Sequence, residues 1–171
     1  ADLHKEYGVK AVGVQCDVSD KAQVEAMVSE VADSLGGIHV LHNNAASKSK
    51  DPADFFKPFE DFDFDVWRQV MSVNIDGMFL VAQAVGKRMI EQGGGSIIQT
   101  ASTYGLVGPD FGIYEGSEYM GHRITTPAAY AASKGAVVAL TKYLATYWGD
   151  KGIRVNTLVP GGIESGQNET F

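Results

Sequence analysis

The sequence predicts an α/β fold, a parallel sheet with helices on both faces, and three observations predict it. Short apolar runs alternate with longer stretches of helical periodicity, in the order strand, helix, strand, helix, strand, helix, strand. Glycine or proline clusters close the main stretches: Gly36-Gly37, Gly93-Gly94-Gly95 and Pro160-Gly161-Gly162. Polar or small residues follow each apolar run at once, which puts the candidate chemistry at the carboxyl ends of the strands.

Residues 9–16 (VKAVGVQC) form a β-branched run that reads as a buried strand, with Cys16 as a small core residue. Ser19 is expected to cap a helix over residues 20–35, where Val24, Met27, Val28 and Val31 recur at helical spacing. Residues 38–41 are a second buried strand that runs into Asn43-Asn44-Ala45-Ala46. A polar, aromatic loop follows to about residue 63. A long helix then covers residues 64–92, with Val66, Val70, Val73, Gly77, Leu80, Ala84 and Val85 along one broad stripe. Residues 96–101 are a third strand and lead directly to Ser102. The stretch over residues 103–126 is rich in Gly and Tyr, and a loop of that length in a compact domain is either functional or disordered. Pro127 suits the first turn of a helix reaching about residue 149. Residues 153–159 complete the pattern as a fourth strand. There is no internal repeat and no linker, so the 171 residues read as a single domain.

Composition removes several function classes. The formal net charge of −7 argues against a nucleic-acid surface, which is built from excess Lys and Arg. No apolar run approaches the roughly 20 residues of a membrane helix. One cysteine can make no internal disulfide and no metal cluster, which suits a reducing, cytoplasmic setting. No metal site is expected.

Four strand ends should share one rim: Asp17, then residues 43–46, then Ser102, then Pro160-Gly161-Gly162. Beside that rim lies Tyr130-Ala-Ala-Ser-Lys134, whose (i, i+4) spacing stacks a phenol and an ammonium on one helical face. A free tyrosine titrates near 10, too high for proton exchange at neutral pH, and a shielded Lys⁺ beside it favours the phenolate. Ser102 can donate to a substrate oxygen as charge develops there. Each fragment alone has an ordinary structural explanation. Asn74, for instance, is either a surface amide or a mid-helix residue with a purpose. The joint occurrence in a consistent order carries the functional reading.

These motifs resemble the short-chain dehydrogenase/reductase family, from about residue 9 to residue 165. The resemblance rests on Cys16-Asp17-Val18, Asn43-Asn44-Ala45-Ala46, Val73-Asn74, the run from Ile97 to Ser102, Tyr130-x-x-x-Lys134, Ile153-Arg-Val-Asn156 and Pro160-Gly161. It implies a Rossmann-like, doubly wound sheet and hydride transfer between NAD or NADP and a secondary alcohol or ketone. By the same resemblance Tyr130 is the catalytic acid/base, and Lys134 lowers its pKa and holds the cofactor ribose. Ser102 orients the substrate oxygen, and Asn74 holds a water of a proton relay. Asp17 and Val18 would meet the adenine, Asn43 and Ala45 the adenosine and ribose side, and the backbone at Pro160, Gly161 and Ile163 the nicotinamide carboxamide. Ser165 supplies a hydroxyl where the family has threonine.

Some features depart from the family. Its glycine-rich pyrophosphate turn is missing, and so are the first two strands and the last strand of its 3-2-1-4-5-6-7 sheet. The chain is therefore expected to be an excerpt of a longer enzyme, not competent alone. Without those strands residues 9–16 have no obvious ladder partner. Ala46 replaces the usual glycine. The stretch between Ser102 and Tyr130 is longer than usual, and its Tyr104, Asp110, Tyr114, Glu115, Tyr119, His122 and Arg123 are expected to line a polar pocket or form a lid. The alternative is a surface loop with no substrate role. Its run from Pro109 to Gly116 resembles loops of family members from bacterial surface-sugar pathways, which leans toward a sugar-like substrate. An epimerase or dehydratase of the same superfamily, and a non-catalytic scaffold, are the competing functions. Val81, Val85, Met89, Leu140, Tyr143, Leu144, Tyr147 and Trp148 are either core or the face of a homodimer or homotetramer.

Overall fold

The computed structural model describes residues 3–49 and 51–163. In chain order it contains α1 (Leu3–Tyr7), α2 (Lys21–Leu35), β1 (Val40–Asn43) and α3 (Pro52–Phe55). A long helix follows as α4 (Phe64–Met71), a π-helical turn (Ser72–Gly77) and α5 (Met78–Gln92). Then come β2 (Gly95–Thr100), a two-stranded ribbon of β3 (Glu118–Tyr119) and β4 (His122–Arg123), α6 (Ala128–Tyr147) and β5 (Ile153–Leu158). No described helix is long and apolar enough to cross a membrane.

The sheet is parallel in the order β1-β2-β5, with Leu41 opposite Ile97 and Ile97 opposite Val155. Those residues face the helices, and the main core joins Val28, Val85, Met89, Leu144, Trp148 and Ile153 around them. Gly86 lets α5 and α6 meet, because a Cβ there would lie 2.4 Å from the Trp148 ring. The sequence predicts helices on both faces, yet Val40, His42, Arg154, Asn156 and Leu158 on the other face are exposed. Two right-handed crossovers stepping the same way along a sheet put both helices on one side, and covering the other side takes a reversal of strand order.

Residues 9–16 are a correction to the sequence reading. They form no strand and are mostly exposed, because no described strand offers them a ladder. Cys16, and Val18 just beyond it, lie half-buried against the main core, and Lys10 Nζ donates to the Ser34 carbonyl. Ser19 does not cap α2. Asp20 does, accepting from the N–H groups of Ala22 at 2.9 Å and Gln23 at 3.2 Å. Of the expected partner-face residues Val81, Val85, Met89, Leu144 and Trp148 are core, while Tyr143 and Tyr147 are exposed and stacked 5.6 Å apart.

Candidate active site

The ends of the three strands converge with the first turns of α6. At the end of β1 the buried Asn43 donates its Nδ2 to the carbonyl of Met78 at 2.9 Å, which pins the strand end to the long helix. Four residues on, the Ser47 N–H donates to Asn74 Oδ1 at 2.7 Å. Asn74 is 1% exposed, so it is no surface amide. Its π-helical turn inserts extra backbone into an α-helix, a device common at functional sites. Asn74 Nδ2 lies 3.4 Å from Ser133 Oγ, whose proton goes to the Tyr130 carbonyl at 2.8 Å. One buried amide thus joins the loop after β1 to the turn of α6 between Tyr130 and Lys134. At Gly77 a Cβ would sit 2.7 Å from Val18 Cγ2, so the glycine lets the segment carrying Asp17 and Val18 lie against the π turn.

Lys134 is 4% exposed. Its Nζ donates to the carbonyl of Thr100 at 2.9 Å, two residues before Ser102, and lies 5.8 Å from the centroid of the Tyr130 ring. An ammonium has three N–H donors, and among the described residues this one uses a single carbonyl. Burial holds it below the ordinary lysine value of 10.5. Between the folded value and 10.5 the unfolded chain binds more protons than the native one, so stability rises with pH there. Urea melts of wild type and Lys134→Met across that window are expected to show the rise in the first and not in the second.

Ser102 is buried, and its Oγ accepts the N–H of Tyr104 at 3.3 Å, with its own proton given to no acceptor among the described residues. The next turn lies flush on α6. A Cβ at Gly105 would be 2.6 Å from the backbone carbonyl of Lys134. Gly105→Ala is therefore expected to cost about 1–3 kcal/mol by overpacking, seen as a lower unfolding midpoint. The Thr103 N–H reaches the Pro160 carbonyl at 3.4 Å and brings in the end of β5. Gly161, Gly162 and Ile163 are exposed beyond it.

Asn43, Asn74, Ser102, Tyr130, Lys134 and Pro160 are thus linked by contacts, and Val18 joins them through Gly77. Asp17 is engaged locally: its Oδ1 accepts from the Ser19 N–H at 2.9 Å and the Ser19 hydroxyl at 2.7 Å, which holds the carboxyl below its usual range. Ala45 is exposed on the rim, and Ser165 lies outside the described residues. Gly105, Thr100, Ser133 and Ser47 escaped the sequence reading. Ser133 had a signal, since it stands inside Tyr130-x-x-Ser133-Lys134 one position before the lysine.

Comparison with known proteins places the arrangement. Residues 1–171 match the family described as short chain dehydrogenase. D-threitol dehydrogenase of Mycolicibacterium smegmatis is 38% identical over 148 residues, 86% of this chain and 49% of that protein. The solved structure of NAD+-bound xylitol dehydrogenase superposes with a TM-score of 0.80 at 34% identity, covering 95% of this chain and 55% of that one. A gluconate 5-dehydrogenase from Burkholderia cenocepacia, solved with NADP and tartrate, gives a TM-score of 0.78 at 35% identity over 96% and 56%. The chain spans about half the length of the curated relatives it matches.

Proposed function

The chain belongs to the short-chain dehydrogenase family, and from that premise we propose that it carries the proton-transfer half of an NAD(P)-dependent oxidoreductase acting on a secondary alcohol or ketone, a sugar-like one by preference. The carrying observation is the buried Lys134 ammonium, one helical turn from Tyr130 and tied to the strand that ends at Ser102. Its two unused N–H donors fit the ribose hydroxyls of a nicotinamide cofactor, and no other buried cation stands beside the described strand ends. The exposed glycines after β5 leave backbone open to a carboxamide. When bound, NAD or NADP supplies the carbon that accepts or returns hydrogen at the substrate carbon.

This chain's residues do the rest. Ser102 donates to the substrate oxygen and holds it as charge builds. Tyr130 Oη takes the proton from that oxygen in oxidation and gives it back in reduction. The Lys134 ammonium, 5.8 Å from the Tyr130 ring centroid, sets a positive charge beside the negative charge that develops during the exchange. Asn74, fixed by Ser47 and facing Ser133, orders the path by which the proton leaves Lys134. Asp17, Val18, Asn43 and Ala45 complete the adenosine side, with Pro160, Gly161 and Ile163 at the nicotinamide end. D-threitol dehydrogenase and the xylitol and gluconate dehydrogenases named above support a polyol-like substrate for this chain. The stacked, exposed pair Tyr143 and Tyr147 supports a homodimer or homotetramer, and the free thiol of Cys16 supports a cytoplasmic setting.

Growth of reduced-cofactor absorbance when the full-length protein meets NAD or NADP and threitol, xylitol or gluconate tests the reading. Reduction with at least one of them is expected. Isomerised or dehydrated product with no net cofactor reduction would contradict it.

A further inference from the structure

The segment between Ser102 and Tyr130 carries a chain of hydroxyls that the mechanism above does not use. Thr126 Oγ1 lies 2.7 Å from Tyr114 Oη, and Tyr114 Oη donates to Tyr104 Oη at 2.9 Å. A phenol has one proton. With Tyr114 donating to Tyr104, Thr126 must donate to Tyr114. The chain then runs from Thr126 through Tyr114 to Tyr104, and the Tyr104 proton has no acceptor among the described residues. Hydroxyls in series polarise one another, which makes the last one the stronger donor.

The surroundings fix this chain in place. Tyr114 is 4% exposed, and burial pushes its phenol up to about 12, so its proton stays on at physiological pH. Ser117 and Ile124 are buried, and the Ile124 N–H donates to the Ser117 carbonyl at 3.2 Å. The Lys48 ammonium lies 5.0 Å over the Tyr119 ring, so the β3–β4 ribbon docks on the loop after β1. Tyr104 is half-buried and gives its N–H to Ser102 Oγ. The residue that carries the spare donor is thus tied through its backbone N–H to the group expected to hold the substrate oxygen.

We propose that Tyr104 is a specificity-determining residue, whose hydroxyl, backed by Tyr114 and Thr126, donates to a second oxygen of the substrate and selects polyols over simple secondary alcohols. The inference rests on the reading that Ser102, Tyr130 and Lys134 form the active site. A substrate with a CH₂ in that place leaves a half-buried donor unpaired, and sites built to bond a hydroxyl discriminate strongly against its absence. The chain is uncharged, so a neutral hydroxyl suits it.

Xylitol and pentan-3-ol share a five-carbon skeleton and make the test. Binding of each to the cofactor-saturated full-length protein is measured by calorimetric titration, beside KM and kcat. Tyr104→Phe is expected to weaken xylitol about tenfold, the worth of one hydrogen bond, and to leave pentan-3-ol within about twofold. Tyr114→Phe keeps the Tyr104 hydroxyl and removes its polariser, so a smaller loss, about threefold, is expected for xylitol alone. Equal losses for both ligands would mean a merely structural role and overturn the inference, as would a wild-type protein that binds no better to xylitol than to pentan-3-ol. Xylitol binding without cofactor reduction would overturn the oxidoreductase reading and leave the role of Tyr104 standing.

Discussion

Tyr130→Phe in the full-length protein is expected to lower kcat by about 10²–10⁴-fold, the range supplied by a positioned acid or base. The substitution is narrow. The Tyr130 ring packs beside Phe55, Val70 and Ala129, and phenylalanine keeps that packing. Lys134 keeps its bond to Thr100, and Ser133 still reaches the carbonyl of residue 130. What goes is the oxygen that holds the proton. KM for cofactor should stay within about twofold, because a lost transition-state interaction appears in kcat. Steady-state rates for the two proteins check this, and a variant retaining a tenth of the wild-type kcat would remove Tyr130 from the chemistry.

Lys134→Met should be almost as severe and should fail in a different way. Methionine fills much the same space but returns no charge and no donor. If the two spare N–H groups hold ribose hydroxyls, each lost charge-assisted bond is worth about 1.5–3 kcal/mol, which together predict about a 10²–10⁴-fold fall in kcat/KM. Both KM for cofactor and kcat should suffer, which separates this variant from Tyr130→Phe. Removing a buried ammonium relieves a desolvation cost, so the unfolding midpoint should hold or rise at neutral pH. Loss of activity with an unchanged midpoint excludes unfolding as the cause. A variant with wild-type cofactor KM would contradict the ribose role.

Much of this architecture is legible along the chain, and the failures have physical reasons. Val24 and Val28 repeat at helical spacing and are buried in the core, because periodicity reports which side of a helix is apolar. It does not report what that side meets. The same spacing therefore left Val85 and Tyr147 indistinguishable, although one is buried and the other exposed. Residues 9–16 have every local preference for a strand, but a strand is a pairing, and propensity supplies no partner. Asn74 stood out as an amide in a helix interior. The π turn that buries it did not, since a few residues of wider winding hardly disturb a long 3.6-residue pattern. The Tyr130–Lys134 pair was readable because four residues are one turn. The Thr126–Tyr114–Tyr104 chain was not, because it joins three points of irregular backbone whose spacing follows no period.

Isotope tracing meets the central claim most directly. The full-length protein would be given oxidised cofactor and an alcohol that it turns over, labelled with deuterium on the carbinol carbon, and the reduced cofactor weighed by mass spectrometry. The account predicts one deuterium in the cofactor for each alcohol oxidised, with the hydroxyl proton passing to solvent through Tyr130. Deuterium found in water, or kept in a rearranged product with the cofactor unreduced, would contradict it.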